Sequence, residues 1–210
     1  MLYKNLPVNT GPNDEYPLNE IILEAIHKRF IGITSYLSQC FIVRFDLHFP
    51  SSNAISPDPL KENQCLQAFW KKLVADKLKR GEDAHTHLEY FWVRELEKAK
   101  HGHYHCFIIF DRHKLDSIGS IQNHTGLFGL IESIWKRVSS GGTVHIPTLA
   151  INGLDVRQSY PKEKENAFYA LSYLAKPRGK NTQPGVRAFG GSTPKKYNLA
   201  VSTPIPNIAI

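Results

Sequence analysis

Two histidines separated by one residue, His103 and His105, are the side chains in this sequence best placed to perform metal chemistry. They open the apolar run 106–110, which is typical of a strand, and the strand period of two places both imidazoles on one face. Two adjacent imidazoles on one face are costly to bury unless they share a ligand or are hydrogen-bonded. The two histidines therefore either bind a metal ion or lie in the core with both imidazoles hydrogen-bonded.

A carboxylate comes within reach of this pair if the surrounding strands form a hairpin. The strand-like runs 88–96 and 103–111 are joined by a short polar stretch that contains a glycine. Antiparallel pairing about this turn places Glu95 opposite His103 and on the face of both rings. One carboxylate and two imidazoles, completed by water, suit Mg²⁺ or Mn²⁺ and would also accept Zn²⁺.

Other polar residues near these strands are weaker candidates for the metal. Glu97 and His101 have the same parity as the proposed ligands but lie nearer to the turn, so they are second-choice ligands. The sequence also contains a second HxH pair, His85 and His87, just before a predicted strand. Its position after a polar, glycine-containing stretch indicates solvated loop residues and not a metal site.

Two tyrosines and a lysine are spaced for one face of a helix. At about 100° per residue, Tyr169, Tyr173 and Lys176 fall within a sector of roughly 60°. The opposite arc carries an apolar stripe: Phe168, Leu171, Leu174 and Ala175. A phenol, whose ordinary pKa is about 10, attacks phosphorus only with a metal-polarised phosphate and a nearby cation. The tyrosines are therefore candidate nucleophiles, and the alternative is that they only fill the core.

The remaining pattern predicts the elements that position these residues. Helical periodicity covers 19–38, 62–80, 127–138 and 163–176. Strands are predicted for 41–49 and for the two hairpin runs, with weaker signals at 149–156 and 198–201. We expect an extended lead-in over 1–17, one domain over 18–202 and a tail over 203–210. Helices mixed with antiparallel strands predict an α+β fold with a central antiparallel sheet flanked by helices.

The charge of the chain favours nucleic acid as a partner. Lys and Arg number 26 against 19 Asp and Glu, which gives a net charge of +7. The segment 176–196 holds no acidic residue and contains six basic ones: Lys176, Arg178, Lys180, Arg187, Lys195 and Lys196. Such a segment can neutralise DNA phosphates, and the alternative is a basic tail that is merely solvated.

The composition also indicates the cellular compartment and excludes several classes of protein. A hydrophobic content of 41% with 11% aromatic residues excludes a disordered chain. The apolar runs are far shorter than the roughly 20 residues of a membrane helix, and the N-terminus is polar, so no membrane partner is expected. Three cysteines without CxxC spacing argue against disulfides and a thiolate zinc site. We expect a protein of the reducing cytoplasm.

Taken in order, these motifs resemble those of the HUH endonucleases, the family of rolling-circle replication initiators, relaxases and related transposases. The match is VxE followed by HyH in VRELEKAKHGHYHCFIIF, and then YxxxYxxK in YALSYLAK. The segments VRFDLHFP, YLAK and RAFGGS look more narrowly like the inovirus-type phage replication proteins, which also occur in prophages. The resemblance spans approximately residues 41–192.

The resemblance implies a nuclease with an HUH or RRM-like core that nicks one strand of a replication origin. A tyrosine would take the 5′ phosphate covalently and leave a free 3′-OH for a polymerase. The implied ligands of Mg²⁺ or Mn²⁺ are His103, His105 and Glu95; the implied nucleophiles are Tyr173 and Tyr169, with Lys176 on the phosphate. Because Lys176 is three residues from Tyr173, we expect Tyr173 to make the first cut.

One strand departs from the pattern of the family. Many relatives have a Thr- or Ser-rich first motif, whereas this chain has Arg44, Asp46 and His48. Asp46 and His48 alternate onto one face and either line the site or support it.

Two further hypotheses belong to other classes. The chain could be a non-catalytic DNA- or RNA-binding module, such as a prophage-derived regulator, on the same scaffold, or a transposase with the same chemistry. No GxxxxGK[ST] motif occurs, so strand separation and synthesis would require a separate host helicase and polymerase.

Overall fold

In the computed structural model, residues 1–11, 13, 16–50, 58–79, 88–96, 101–147, 154–157, 161–177 and 185–194 are described. The helices in these ranges are α1 (Glu20–Tyr36), α2 (Pro59–Lys79), α3 (Gly126–Val138) and α4 (Pro161–Ser172), and α4 continues into a 3-10 turn (Tyr173–Ala175). The strands are β1 (Leu2–Tyr3), β2 (Leu6–Pro7), β3 (Gln39–His48), β4 (Leu88–Glu95), β5 (His103–Asp111), β6 (Thr143–His145), β7 (Leu154–Arg157) and β8 (Phe189–Gly191). Among the helices so described, none is both long enough and apolar enough to cross a bilayer.

Six of these strands form one sheet in which the described pairs are antiparallel. The order is β6-β3-β5-β4-β8, and β7 also pairs with β3. β6 pairs with residues 46–48 of β3 and β7 with residues 39–42, so the two short strands share one edge of β3. This confirms the predicted α+β fold with a central antiparallel sheet flanked by helices.

Alternation along the strands divides the core into two layers. Phe41, Val43 and Phe45 of β3 pack with α2 and α3 on one face of the sheet. Residues of opposite parity, such as Ile42 and Phe107, pack with α1 and α4 on the other face. At the end of β3 this second face changes from apolar to polar, because Asp46 and His48 lie on the same face of the strand as Ile42. The alternation thus produces a polar surface where the helical cover ends.

The prediction of a helix over 163–176 is wrong in its last turn. The α-helix ends at Ser172, and Tyr173 begins the 3-10 turn. Lys176 has an extended backbone, with φ −58° and ψ 132°, because the ring of Pro177 disfavours the helical conformation in the residue before it. Tyr169 and Tyr173 therefore lie on different elements, although the predicted apolar stripe of this segment is buried as expected.

The first residues of the chain also contribute to the core. The lead-in is extended, as predicted, but β1 and β2 pair within it, and Val8 is only 2% exposed. The backbone N–H of Asn9 donates to Ser172 Oγ at 2.8 Å. β6 and β8 were not predicted, because three residues are too few to show alternation. β7 covers the end of the weaker predicted strand, and the strand expected at 198–201 lies outside the described residues.

Candidate metal centre and tyrosine site

The three predicted ligands converge at the open end of the sheet. The hairpin register pairs Glu95 with His103, as the sequence predicted. One ligand atom from each of Glu95, His103 and His105 lies within 4.8 Å of the others. This separation is close to what coordination of one ion requires, since ligands about 2.1 Å from a metal are some 3–4 Å apart. The donor set of two imidazoles and one carboxylate therefore fits a divalent cation.

His105 lies between two carboxylates. Its Nδ1 is 2.7 Å from Asp46 Oδ1, and its Nε2 is 3.0 Å from Glu95 Oε2. Burial lowers the pKa of His105, but the hydrogen bonds to Asp46 and Glu95 outweigh it and raise the pKa overall. As an imidazolium, the ring donates to both carboxylates. As a neutral ring that donates from Nδ1 to Asp46, it presents the Nε2 lone pair to Glu95, and a cation between them would satisfy both groups.

His103 provides a neutral imidazole beside this arrangement. Burial, together with the neighbouring His105, lowers the pKa of His103 to about 4, so its nitrogen lone pair is available at neutral pH. The ring stacks on His48 at a centroid distance of 5.2 Å and an interplanar angle of 11°. Asp46 and His48 therefore support the two histidine ligands from β3, Asp46 by a hydrogen bond and His48 by stacking.

Tyr173 is placed against this cluster by the 3-10 turn. Its ring meets that of His105 edge to face, with centroids 5.9 Å apart. Lys176 Nζ lies 4.0 Å from the centroid of the Tyr173 ring and 4.3 Å from that of Tyr16. Tyr169, by contrast, is 40% exposed on α4. The structure thus brings Tyr173 to His105 and Lys176 to Tyr173, and it leaves Tyr169 at the surface of the preceding helix.

Arg44 is a residue of the site that sequence reasoning did not assign. It lies on β3 with the parity of Asp46, and its guanidinium carbon is 4.3 Å from the centroid of the Tyr173 ring. The side chain is 7% exposed, and its Nε has no hydrogen-bond partner among the described residues. Burial lowers the pKa of Arg44, and the adjacent Asp46 opposes this effect. The alternation of Arg44, Asp46 and His48 along β3 was the available signal.

His101 is not part of the cluster. Its Nδ1 lies 3.2 Å from Glu62 Oε1, and Arg94 donates to the other oxygen of that carboxylate at 2.7 Å. This buried group joins the end of the hairpin to α2, which explains why a histidine of the expected parity turns away from the ligands. Several other predicted residues lie outside the described part of the chain: Glu97, His85, His87, Arg178, Lys180, Lys195 and Lys196. Arg187 is described and exposed.

The role of the hydrogen bond from His105 to Asp46 can be tested by a substitution of Asp46 that keeps the size of the side chain. Asp46→Asn removes the charge that orients the imidazole, so we expect affinity for Mn²⁺ to fall by about 10–100-fold with the fold retained. Titration followed by electron paramagnetic resonance measures this affinity. Asp111→Asn, at the other end of β5, is the matched control and should leave it unchanged. Equal affinities in the two variants would show that Asp46 has no part in binding the ion.

The chain is similar over most of its length to one known protein family. Residues 1–192 match the family model of the YagK/YfjJ C-terminal domain. The relatives include "Uncharacterized protein YagK" of Escherichia coli (strain K12), 26% identical over 190 residues that cover 80% of this chain and 89% of YagK. They also include "Uncharacterized protein YfjJ" of the same strain, 28% identical over 177 residues that cover 72% of this chain and 83% of YfjJ. No solved structure matches. Since the family model spans most of its length, the chain belongs to the YagK/YfjJ C-terminal domain family.

Proposed function

We propose that this protein is a metal-dependent single-strand DNA endonuclease and strand transferase of the HUH type. It nicks a replication origin through a covalent 5′-phosphotyrosine and so initiates rolling-circle replication of a phage or prophage element. The observation that carries the proposal is the contact between the Tyr173 ring and His105, which is itself a candidate metal ligand. A nucleophile, a metal cluster and two cations meet at this point.

The reaction forms one bond and breaks another at the same phosphorus. The Tyr173 hydroxyl gives up its proton to water and its oxygen attacks the scissile phosphate. The bond from phosphorus to the 3′ oxygen breaks, and that oxygen takes up a proton from water and leaves as a 3′-OH. A Mg²⁺ or Mn²⁺ ion, when bound by Glu95, His103 and His105, would polarise a non-bridging phosphate oxygen. Lys176 and Arg44 lie over the Tyr173 ring, where positive charge stabilises a developing phenolate and the crowded phosphate.

The charge of the chain and its motifs indicate the partners of this reaction. The net charge of +7 favours binding to DNA, and we expect a separate host helicase to supply strand separation. The free 3′-OH is then the primer for a host polymerase. We therefore expect the reaction to take place in the cytoplasm of a bacterial host.

Arg44 should affect the rate of attack and not the binding of the metal. We expect Arg44→Gln to slow formation of the covalent adduct by roughly 100-fold under single-turnover conditions, as loss of one charge-stabilising donor does elsewhere. Affinity for Mn²⁺ should be unchanged, and Arg44→Lys should recover part of the rate. A wild-type rate in Arg44→Gln, or equal rates in the two variants, would refute this role.

The proposal as a whole is tested by capture of the adduct. The protein is incubated with Mn²⁺ and a single-stranded DNA library of random sequence, and protein-linked fragments are isolated after denaturation and sequenced. We expect covalently linked DNA with a common sequence at the 5′ end and no adduct when the metal is chelated. Tight DNA binding without any adduct would refute the nuclease and favour the non-catalytic binding module.

A further inference from the structure

A groove of about 910 Å³ lies on the face of the sheet opposite the candidate metal ligands Glu95, His103 and His105. One wall is a face of α2 that includes Gln64, Gln67 and Lys71, and the other is formed by β4 and the edge strand β8. Strand β4 contributes Tyr90 and Trp92 to this second wall, and both lie on the face of β4 opposite to Glu95. We call this feature the α2–β8 groove.

Stacked aromatic rings form the floor of the α2–β8 groove. The rings of Trp70 and Tyr90 are 4.1 Å apart at an interplanar angle of 14°, which is a face-to-face stack. Tyr90 is partly exposed, and Nε1 of the buried Trp70 has no hydrogen-bond partner among the described residues. A planar ring laid on Tyr90 would continue the stack.

Gly190 of β8 keeps this floor accessible. A Cβ added at Gly190 would lie 2.7 Å from the Trp92 side chain. A side chain at this position would therefore collide with the floor of the groove or force β8 away from β4. The edge strand is built from residues that leave the aromatic rings uncovered by its own side chains.

The rim of the groove is polar and positively charged. Gln64 and Gln67 are exposed amides that can donate and accept hydrogen bonds, and Lys71 and Arg187 are exposed cations. None of the described residues that line the groove is acidic. Aromatic floor, amide wall and cationic rim are the three features by which proteins hold an unpaired base together with its phosphate.

We propose that the α2–β8 groove binds an unpaired nucleotide of single-stranded DNA, with the base stacked on Tyr90 and the phosphate at Lys71 and Arg187. This inference rests on the proposed function for its choice of DNA, and it adds a second binding site to that function. The groove and the metal cluster use opposite faces of β4, and Tyr90 is five residues, or roughly 17 Å along the strand, from Glu95. A single strand that passes round the β8 edge would engage both, so the groove would fix which phosphate reaches Tyr173.

The test measures binding separately from cleavage. In protein carrying Tyr173→Phe and without divalent metal, fluorescence anisotropy gives the affinity for a labelled oligothymidine. We expect Lys71→Ala and Gln67→Ala each to weaken binding several-fold, and Tyr90→Leu to weaken it by about tenfold through loss of stacking. Lys72→Ala is the matched control, because Lys72 is exposed on the same helix but does not line the groove. Its affinity should equal that of the parent protein.

Cross-linking locates the base directly. An oligonucleotide that carries 5-iodouracil should form a photoadduct on the peptide that contains Tyr90, and the adduct should disappear in Tyr90→Leu. Lys71→Ala and Gln67→Ala change exposed residues, so they keep the test decisive if Tyr90→Leu fails to fold. Equal binding by Lys71→Ala and Lys72→Ala, or cross-links only outside the groove, would overturn the proposal. Equal sensitivity of an oligouridine to the same variants would overturn its restriction to DNA.

The groove and the endonuclease can fail separately in these experiments. If groove variants weaken binding but wild-type protein never forms an adduct, the binding site stands and the endonuclease fails. If adducts form normally in groove variants and their oligonucleotide affinity is unchanged, the endonuclease stands and the groove fails.

Discussion

Replacing Tyr173 by phenylalanine should abolish the covalent protein–DNA adduct while DNA binding persists. The change removes only the hydroxyl oxygen, which is the proposed nucleophile, and keeps the ring that contacts His105, Arg44 and Lys176. Loss of a nucleophile typically reduces the rate by roughly three orders of magnitude or more. The measurement is a single-turnover reaction with Mn²⁺, resolved on a denaturing gel, with DNA binding followed separately by anisotropy.

Tyr169→Phe is the matched control for this prediction. Tyr169 lies about one turn earlier, on α4, and is 40% exposed, so its loss should leave the first cut intact. Tyr169 would act in a later transfer, in which a second tyrosine cleaves the regenerated origin. A substrate that allows two successive rounds of cleavage tests that step. Peptide mapping of the wild-type adduct should find DNA on Tyr173. An adduct on Tyr169, or a wild-type rate in Tyr173→Phe, would reverse the assignment.

Removing either histidine ligand should eliminate both metal binding and cleavage. In His105→Ala the cluster loses the ring that contacts Glu95, Asp46 and Tyr173, and in His103→Ala it loses a neutral imidazole. We expect Mn²⁺ affinity to fall by at least about 100-fold in each variant and adduct formation to become undetectable. Electron paramagnetic resonance of bound Mn²⁺ reports the first effect without reference to activity.

A surface histidine of the same strand region serves as the control here. His113 follows β5 and is exposed, so His113→Ala should bind Mn²⁺ and form adduct like the wild type. Nonspecific DNA affinity should be similar in all three variants, because lysine and arginine contacts to phosphate supply most of it. Full cleavage by His105→Ala would show that the cluster is not the catalytic metal site. Loss of folding would be visible in circular dichroism and would move the test to His103→Ala.

Much of the site was predictable from the sequence because its geometry follows from local rules. A short turn between two strand-like runs determines the hairpin register, and the strand period then places Glu95 opposite His103. The fold class was predictable for the same reason, since each long helix and strand shows its own period. The pairing of β3 with β5 is nonlocal, so the sequence could not show that Asp46 and His48 meet His105 and His103.

The errors arise where short or nonlocal contacts determine the structure. Arg44 appeared in the sequence only as a departure from a motif, because its contact with Tyr173 joins residues that are far apart in the chain. His101 had the parity of a ligand, but the buried Glu62 holds it on the side of α2. The helical wheel for 163–176 ignored the effect of Pro177 on the preceding residue, so it placed both tyrosines on one continuous helix.

The turn that carries Tyr173 is held at both ends by the first part of the chain. The N–H of Asn9 donates to Ser172 Oγ, and the N–H of Asn19 donates to the carbonyl oxygen of Ala175 at 2.8 Å. The conformational entropy of Tyr173 is therefore lost when the protein folds. Under the proposed function it is not lost when DNA arrives, and this would lower the entropic part of the activation barrier. If residues 1–11 were less ordered, this conformational entropy would be lost during the chemical step. The reaction would then slow while the affinity for DNA stayed the same.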